Sequence, residues 1–269
     1  MQQIEGESLP LERAATPNID ALRAYTLALR AEQENRLQDA LALLEQALSL
    51  DPEFALALMK RGVILRNSAD REGAREALKA ALELEQRLSS RDRLSIEGFL
   101  AELEGTPGET LRRWRLLAEL YPDHPPGTST YGFYSWALAN DALTAERTLR
   151  SALDERNPGK GTVHYTLGVV LMAQDRIEEA LAEFKSYEAS GRRFENQFYA
   201  GAHAVRRDFS NAKAALDRGT QGGVTTRQLP TRLTDLVLDM DQGQLNSVRD
   251  RMQSIIDVAA GMGQRQQAM

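Results

Sequence analysis

Apolar residues recur along this chain in a fixed order of one small, one large and one small side chain. Ala40, Leu44 and Ala47 show the order first, and the two alanines return 34 residues later as Ala74 and Ala81. Two helices pack closely only where small side chains lie at their crossing, and a large apolar side chain then fills the space beside them. The pattern therefore predicts stacked helical hairpins.

The first helix of each hairpin needs a small residue of its own at the crossing, and Gly62, Gly98 and Gly168 supply it. Glycine inside a helix costs about 1 kcal/mol relative to alanine, so close packing is the expected reason for these positions. Gly62 and Gly98 are 36 residues apart, two more than the usual interval, and Thr110 and Trp114 take the next small and large positions. We expect the extra pair in the loop between the second and third hairpins.

Prolines mark where second helices end, because proline lacks a backbone donor and restricts the residue before it. Pro52, Pro122 and Pro158 each follow a predicted second helix. With the small residues, they divide the repeat region into six hairpins at about 20–50, 55–88, 91–121, 126–156, 161–190 and 194–218.

The pattern changes after Gly219, where the turn-rich sequence TQGGVTTRQLPTR begins. Two amphipathic stretches follow, residues 229–240 and 244–259, and we expect them to cap the array with a polar outer face. The predicted fold is an all-α array of about six hairpins plus a C-terminal capping pair. Its segments are an N-terminal lead-in 1–19, a solenoid 20–218, a linker 219–228, capping helices 229–260 and a flexible tail 261–269.

Composition and charge exclude several classes of function. Hydrophobic residues make up 42% of the 269 residues and charged residues 27%, as is usual for a folded protein. The net charge of −6 offers no general basic surface for nucleic acid, and the absence of cysteine excludes disulfides and thiolate metal sites. The longest apolar run, residues 167–173, is far short of the roughly 20 residues of a membrane-spanning helix. Since the first residues also lack an export signal, we expect a cytoplasmic protein without direct membrane insertion, or a periplasmic one if a membrane-tethered parent carries it.

The repeated register over residues 20–218 resembles the tetratricopeptide repeat family, and the resemblance implies that the hairpins stack into a right-handed αα-superhelix. Its clearest unit spans residues 161–191, where the family's offsets are occupied by Leu167, Gly168, Leu171, Ala180 and Phe184. Tyr187 departs from the pattern, since a small residue is usual there, and we expect a looser or re-angled seam to the next hairpin.

A narrower resemblance comes from GESLPLERAATPNIDALRAYTLALRA and SSRDRLSIEGFLAELEGTPGETLRRWRLLAELYPDHP. These segments are similar to the C-terminal repeat region of bacterial multidomain signalling proteins, in which the repeats follow a serine/threonine kinase, a nucleotide-cyclase-like domain (including cyclases of putative peptide-modification systems) or a winged-helix regulator. The resemblance implies a sensing or docking region that acts on an output domain.

No residue pattern indicates catalysis. His124, His164 and His203 have no second histidine or paired carboxylate at helical spacing, which argues against a metal site. The sequence NPGKGT at 157–162 lacks the serine or threonine after lysine of a phosphate-binding loop, and no strand precedes it. We expect no enzyme activity and no cofactor.

The family resemblance implies that the first helices line a concave, aromatic-rich groove. Carried onto this chain, the groove positions give the predicted peptide-binding set of Tyr25, Met59, Lys60, Arg66, Phe99, Tyr131, Tyr134, Tyr165, Met172 and Phe198. The alternative is that such residues form the core between hairpins. The tyrosines favour binding, because each combines a large apolar face with a hydroxyl that needs a partner.

One binding mode of the family grips a C-terminal carboxylate with lysine, asparagine and arginine. Here those positions carry Tyr25, Leu29, Lys60, Asp92 and Ile96, so the clamp is absent. We therefore expect an apolar or amphipathic segment of another protein as partner. The leading hypothesis is a protein- or peptide-binding scaffold that regulates an attached or partner signalling domain. The alternative is a self-association module that forms a homodimer.

Overall fold

A computed structural model describes residues 16–34, 36–154, 157, 159–190, 196–220, 229–246, 248–249, 251–253, 255–256 and 260. Within these residues every regular element is a helix. The predicted all-α class is therefore confirmed.

The chain divides into two compact units, residues 1–140 and 141–269. Helices of the first unit are α1 (Ile19–Gln33), α2 (Leu37–Leu50), α3 (Ala55–Asn67), α4 (Arg71–Glu83), α5 (Ser90–Leu103), α6 (Pro107–Leu120) and α7 (Pro125–Ala137). Helices of the second are α8 (Ala142–Ser151), α9 (Lys160–Ala173), α10 (Ile177–Ala189), α11 (Asn196–Val205), α12 (Phe209–Thr220) and α13 (Leu229–Asp241). Helices α1, α3, α5, α9 and α11 are the first members of hairpins. Helix α7 holds the same repeat position and is also called a first helix, but it ends the first unit, and α8, its predicted partner in the fourth hairpin, belongs to the second unit.

Side-chain caps fix the start of several helices. The Asn18 side chain accepts hydrogen bonds from the backbone N–H groups of Asp20 and Ala21 at the start of α1. Asp70 and Asp141 cap α4 and α8 in the same way. Because the first N–H groups of a helix have no partner within it, these caps supply acceptors that would otherwise be missing.

The turn inside a hairpin has a recurring backbone form. Three residues separate α3 from α4, α5 from α6, α9 from α10, and α11 from α12. In each turn the middle residue has a positive φ, at Ala69 (66°), Gly105 (70°), Asp175 (60°) and Arg207 (59°). The connection between α7 and α8 is one residue longer, 138–141, and the division between the two units falls inside it.

The predicted small-against-large contact is present in both units. A Cβ placed on Gly62 would lie 2.6 Å from the Leu78 side chain, and one on Gly168 would lie 2.6 Å from the Phe184 ring. Gly98 meets the Trp114 ring at 2.7 Å in the same manner. Each glycine precedes its large partner by 16 residues, so one geometry builds hairpins α3–α4, α5–α6 and α9–α10.

The offset between Gly62 and Gly98 has the predicted cause. Six residues separate α4 from α5, whereas four separate α2 from α3 and α6 from α7. The longer connection contains a single 3₁₀ turn, Glu85–Arg87. Thr110 and Trp114 are buried, so the third hairpin keeps its contact despite the larger residues.

The C-terminal part follows the prediction only partly. Residues 219 and 220 belong to α12, while the rest of the predicted linker and the tail 261–269 lie outside the described residues. The first capping helix is α13, and the described positions from 245 to 256 are also helical. The expected polar outer face is not what α13 shows, since Leu233, Val237 and Met240 are 46–60% exposed. Of the N-terminal lead-in, residues 16–19 are described.

Candidate protein-binding face

The predicted binding residues lie on first helices in both units. Seven belong to the first unit: Tyr25 on α1, Met59, Lys60 and Arg66 on α3, Phe99 on α5, and Tyr131 and Tyr134 on α7. Three belong to the second unit: Tyr165 and Met172 on α9, and Phe198 on α11. We call the seven in the first unit, with the carboxylates that contact them, the first-helix face.

Arg66 is the centre of the first-helix face. Its guanidinium donates a 2.7 Å hydrogen bond to the Glu102 carboxylate on α5 and also bonds the Asn67 side chain. The guanidinium carbon lies 4.7 Å from the centre of the Phe99 ring, which in turn packs edge-on against Trp114 at 4.9 Å. These contacts hold the arginine in one orientation, because its planar group is both stacked and hydrogen-bonded.

Tyr134 completes this arrangement from α7. It is only 6% exposed, and its hydroxyl is hydrogen-bonded to Glu102. Burial raises the pKa of Tyr134, and the hydrogen bond and negative charge of Glu102 raise it further. Arg66, Phe99 and Tyr134 are therefore brought together by the fold, and Tyr134 lies beneath the surface as support for the other two. Tyr131, half-buried beside it, packs on the cluster of Leu94, Trp114 and Leu117.

A second charged contact joins α1 to α3. The Lys60 ammonium donates to the Glu32 carboxylate at 3.0 Å, with both side chains about three-quarters buried. Tyr25 lies nearby on α1, and its ring centre is 5.0 Å from that of Phe54. Burial raises the pKa of Tyr25 to about 12, and the charges of Asp92 and Glu32 add to the effect. Met59 packs with the neighbouring cluster that includes Leu100 and Phe99.

The second unit brings its predicted residues together differently. The Tyr165 ring contacts Phe198 on α11 with ring centres 5.9 Å apart, and it also contacts Tyr187 at 5.3 Å. Tyr187, which stands where a small residue was expected, is buried in this aromatic cluster. Met172 is half-buried and approaches Gly201 on α11. The cluster is aromatic, and its large rings fill the space between hairpins.

Sequence reasoning missed the carboxylates of the first-helix face. Glu32, Arg66 and Glu102 each stand four residues after the small residue of their helix, which is Ala28, Gly62 or Gly98. Residues at one repeat position lie side by side on successive first helices, so an alternation of negative and positive charge at this position predicts ion pairs. That signal was available in the sequence.

His164, one of the three histidines considered as a possible metal ligand, makes a contact between two helices. The imidazole Nδ1 of His164 is 2.6 Å from a Glu183 carboxylate oxygen, which ties α9 to α10. Within the described residues, no three histidine or acidic side chains are grouped so that they could hold a metal ion. In the same part of the chain, no helix is both long and apolar enough to cross a bilayer.

Comparison with known proteins agrees with this geometry. The family model described as tetratricopeptide repeat matches residues 25–90 and 139–193. No curated protein matches the chain.

Several solved structures share the fold. PilW, a type IV pilus biogenesis factor, matches with a TM-score of 0.55 and 18% identity, covering 78% of this chain and 97% of that one. PilF of Pseudomonas aeruginosa gives 0.57 and 19%, over 75% and 88%. A tetratricopeptide repeat protein from Parabacteroides merdae gives 0.56 and 14%, over 89% and 93%. At these identities the likeness establishes the fold of helical hairpins alone. Segments 25–90 and 139–193 of this chain are similar to tetratricopeptide repeats.

Proposed function

We propose that the first-helix face binds a segment of another polypeptide and that the chain acts as a docking scaffold. The observation that carries the proposal is the prebuilt arrangement of Arg66, Phe99 and Glu102, which is partly exposed and already fixed in orientation. Side chains that lose little freedom on binding give more net affinity, because less ordering entropy opposes the contact.

The ion pairs of Lys60 and Arg66 indicate which kind of partner the face would bind. Lys60 is paired with Glu32, and Arg66 is paired with Glu102. Neither cation offers an uncompensated positive charge, so a free C-terminal carboxylate gains little there. The apolar faces of Tyr25, Phe99 and Tyr131 favour an apolar or amphipathic segment that lies across successive first helices. Tyr134 supports these residues from below, and direct contact with the partner falls to the partly exposed rings of Tyr25, Phe99 and Tyr131.

The bound segment regulates a signalling domain in this proposal, as the resemblance to the repeat region of bacterial signalling proteins implies. Self-association is a second candidate function. The exposed aliphatic side chains of α13, Leu233, Val237 and Met240, favour it at that helix.

A displayed library of random short peptides, selected against the full chain, tests the docking proposal. Enriched peptides should be apolar or amphipathic, and their affinity should fall at least about tenfold with the double change Y25A/Y131A. The matched control is L50A/L116A, because Leu50 and Leu116 are about 40% exposed on second helices. This control should leave affinity unchanged.

Two results would contradict the proposal. One is enrichment of peptides whose binding requires a free acidic C-terminus, with the tyrosine changes neutral. The other is an equal loss of affinity in Y25A/Y131A and in L50A/L116A.

A further inference from the structure

A series of hydrogen bonds runs through the first-helix face and ends at an exposed amide. The Tyr134 hydroxyl is hydrogen-bonded to Glu102, and the Glu102 carboxylate accepts from the Arg66 guanidinium at 2.7 Å. Arg66 also donates twice to Oδ1 of Asn67, from Nε at 3.2 Å and from Nη2 at 2.9 Å. Asn67 is the last residue of α3 and is exposed, so the series leads from a buried hydroxyl to the surface.

These bonds fix the orientation of the Asn67 amide. A guanidinium group has only hydrogen-bond donors, so the atom of Asn67 that faces Arg66 must be the oxygen. The Nδ2 group lies on the other side of the planar amide, and within the described residues it has no hydrogen-bond acceptor. The amide therefore presents its two N–H donors away from the guanidinium.

Arg66 is itself held in place. Its guanidinium carbon lies 4.7 Å from the centre of the Phe99 ring, and its side chain is 23% exposed. An amide that is held by a fixed group loses little freedom when it binds, so its hydrogen bond gives more net affinity. The pair of Arg66 and Glu102 carries no net charge, which matches the neighbouring donors to a neutral acceptor rather than to an anion.

We propose that Asn67 donates from Nδ2 to a main-chain carbonyl of the docked segment, an assignment that rests on the docking function proposed above. A main-chain carbonyl is a neutral acceptor that every polypeptide carries. Inside a helix this oxygen already accepts from the N–H group four residues later, whereas in an extended segment it is free. The segment is therefore extended where it passes the end of α3, and Asn67 binds it without reading its side chains.

The probe is the tightest-binding peptide that the displayed library yields on the full chain, synthesised on its own. Asn67→Asp keeps one oxygen towards Arg66 and replaces the amide donors by an oxygen that can only accept. Isothermal titration calorimetry should therefore show an affinity loss of at least about fivefold. The matched control is Gln38→Glu, which makes the same change from amide to carboxylate at an exposed position of the second helix α2. It should leave the affinity unchanged, and far-ultraviolet circular dichroism checks that both variants stay helical.

Replacement of single amide linkages of the peptide by esters locates the bound carbonyl. An ester carbonyl is a weaker acceptor than an amide carbonyl, so one ester position should weaken binding to the unmodified protein by at least about threefold. The same ester should have little effect with Asn67→Asp, in which the donor is already missing. This coupling between protein and peptide identifies the contact.

Three results would overturn the assignment and leave the docking function standing, for a peptide that still depends on Tyr25 and Tyr131. The first is equal affinity of the unmodified protein and Asn67→Asp. The second is an equal loss in Gln38→Glu, which would show a general effect of charge. The third is a loss in Asn67→Asp that couples to no ester position, which would assign the amide to a side chain of the peptide. A library that yields no peptide dependent on Tyr25 and Tyr131 would instead refute the docking function, and the contact with it.

Discussion

The two units carry different chemistry on the same hairpin scaffold. In the first unit, ion pairs join successive first helices, Lys60 with Glu32 and Arg66 with Glu102. In the second unit, aromatic rings join the first helices, and an ion pair from Glu146 on α8 to Arg176 at the start of α10 joins the second helices. The glycine contacts beneath are alike, at Gly98 and Gly168. The glycine packing contact of a repeat therefore does not determine whether ion pairs or aromatic rings join its helices at the surface.

The largest expected effect tests whether the two units share one packing contact. Gly98→Leu and Gly168→Leu should each destabilise the protein by about 3 kcal/mol, because a side chain at either position would overlap the Trp114 or Phe184 ring. Urea unfolding measures the loss. Gly108→Leu is the control, since nothing lies within 4 Å of a Cβ there, and it should stay within about 0.5 kcal/mol. A large loss at one glycine only would show that the units are built differently.

The next effect probes the polar network that distinguishes the first unit. Tyr134→Phe should cost about 1 to 2 kcal/mol, because it removes a buried hydroxyl that is bonded to Glu102. Glu102→Gln should be destabilising too, and the double variant should lose less than the sum of the two. A double-mutant cycle by chemical denaturation gives the coupling, expected at about 1 kcal/mol. Additive losses would mean that the tyrosine and the carboxylate act independently.

The smallest effect concerns alkaline stability of the first unit. The pKa of Tyr25 is raised to about 12 from 10.0, so the folded state favours the neutral phenol. A group whose pKa is higher in the folded than in the unfolded state contributes its full stabilisation below the unfolded-state pKa. This stabilisation is lost as pH rises through the folded-state pKa. Stability should thus fall by on the order of 1 kcal/mol between pH 10 and 12, and Tyr25→Phe should reduce that fall.

Unfolding midpoints at a series of alkaline pH values, compared between the unmodified chain and Tyr25→Phe, measure this difference. Parallel pH dependence in the two proteins would contradict the assignment. Tyr25→Phe removes only the titrating hydroxyl, whereas Tyr25→Leu also removes the aromatic contact with Phe54. Comparison of the two variants therefore separates the effect of titration from the effect of ring packing.

Local packing was predictable from the sequence, whereas the roles of individual surface residues were not. Gly62, Gly98 and Gly168 could be placed because each meets a partner at a constant separation on the adjoining helix. The ion pair of Arg66 with Glu102 was readable in principle, since both hold the same repeat position. The burial of Tyr134 was not readable from the sequence, because it depends on how three different helices place Arg66, Glu102 and Trp114 around the tyrosine.

The constant separation of 16 residues between each glycine and its large partner has a consequence for how the chain folds. Every such contact closes a short length of polypeptide, so a hairpin can assemble without waiting for distant parts of the chain to meet. Proteins dominated by contacts of low sequence separation fold in microseconds to milliseconds. Rapid acquisition of helical structure, starting independently at several hairpins, is the kinetic behaviour that this arrangement dictates.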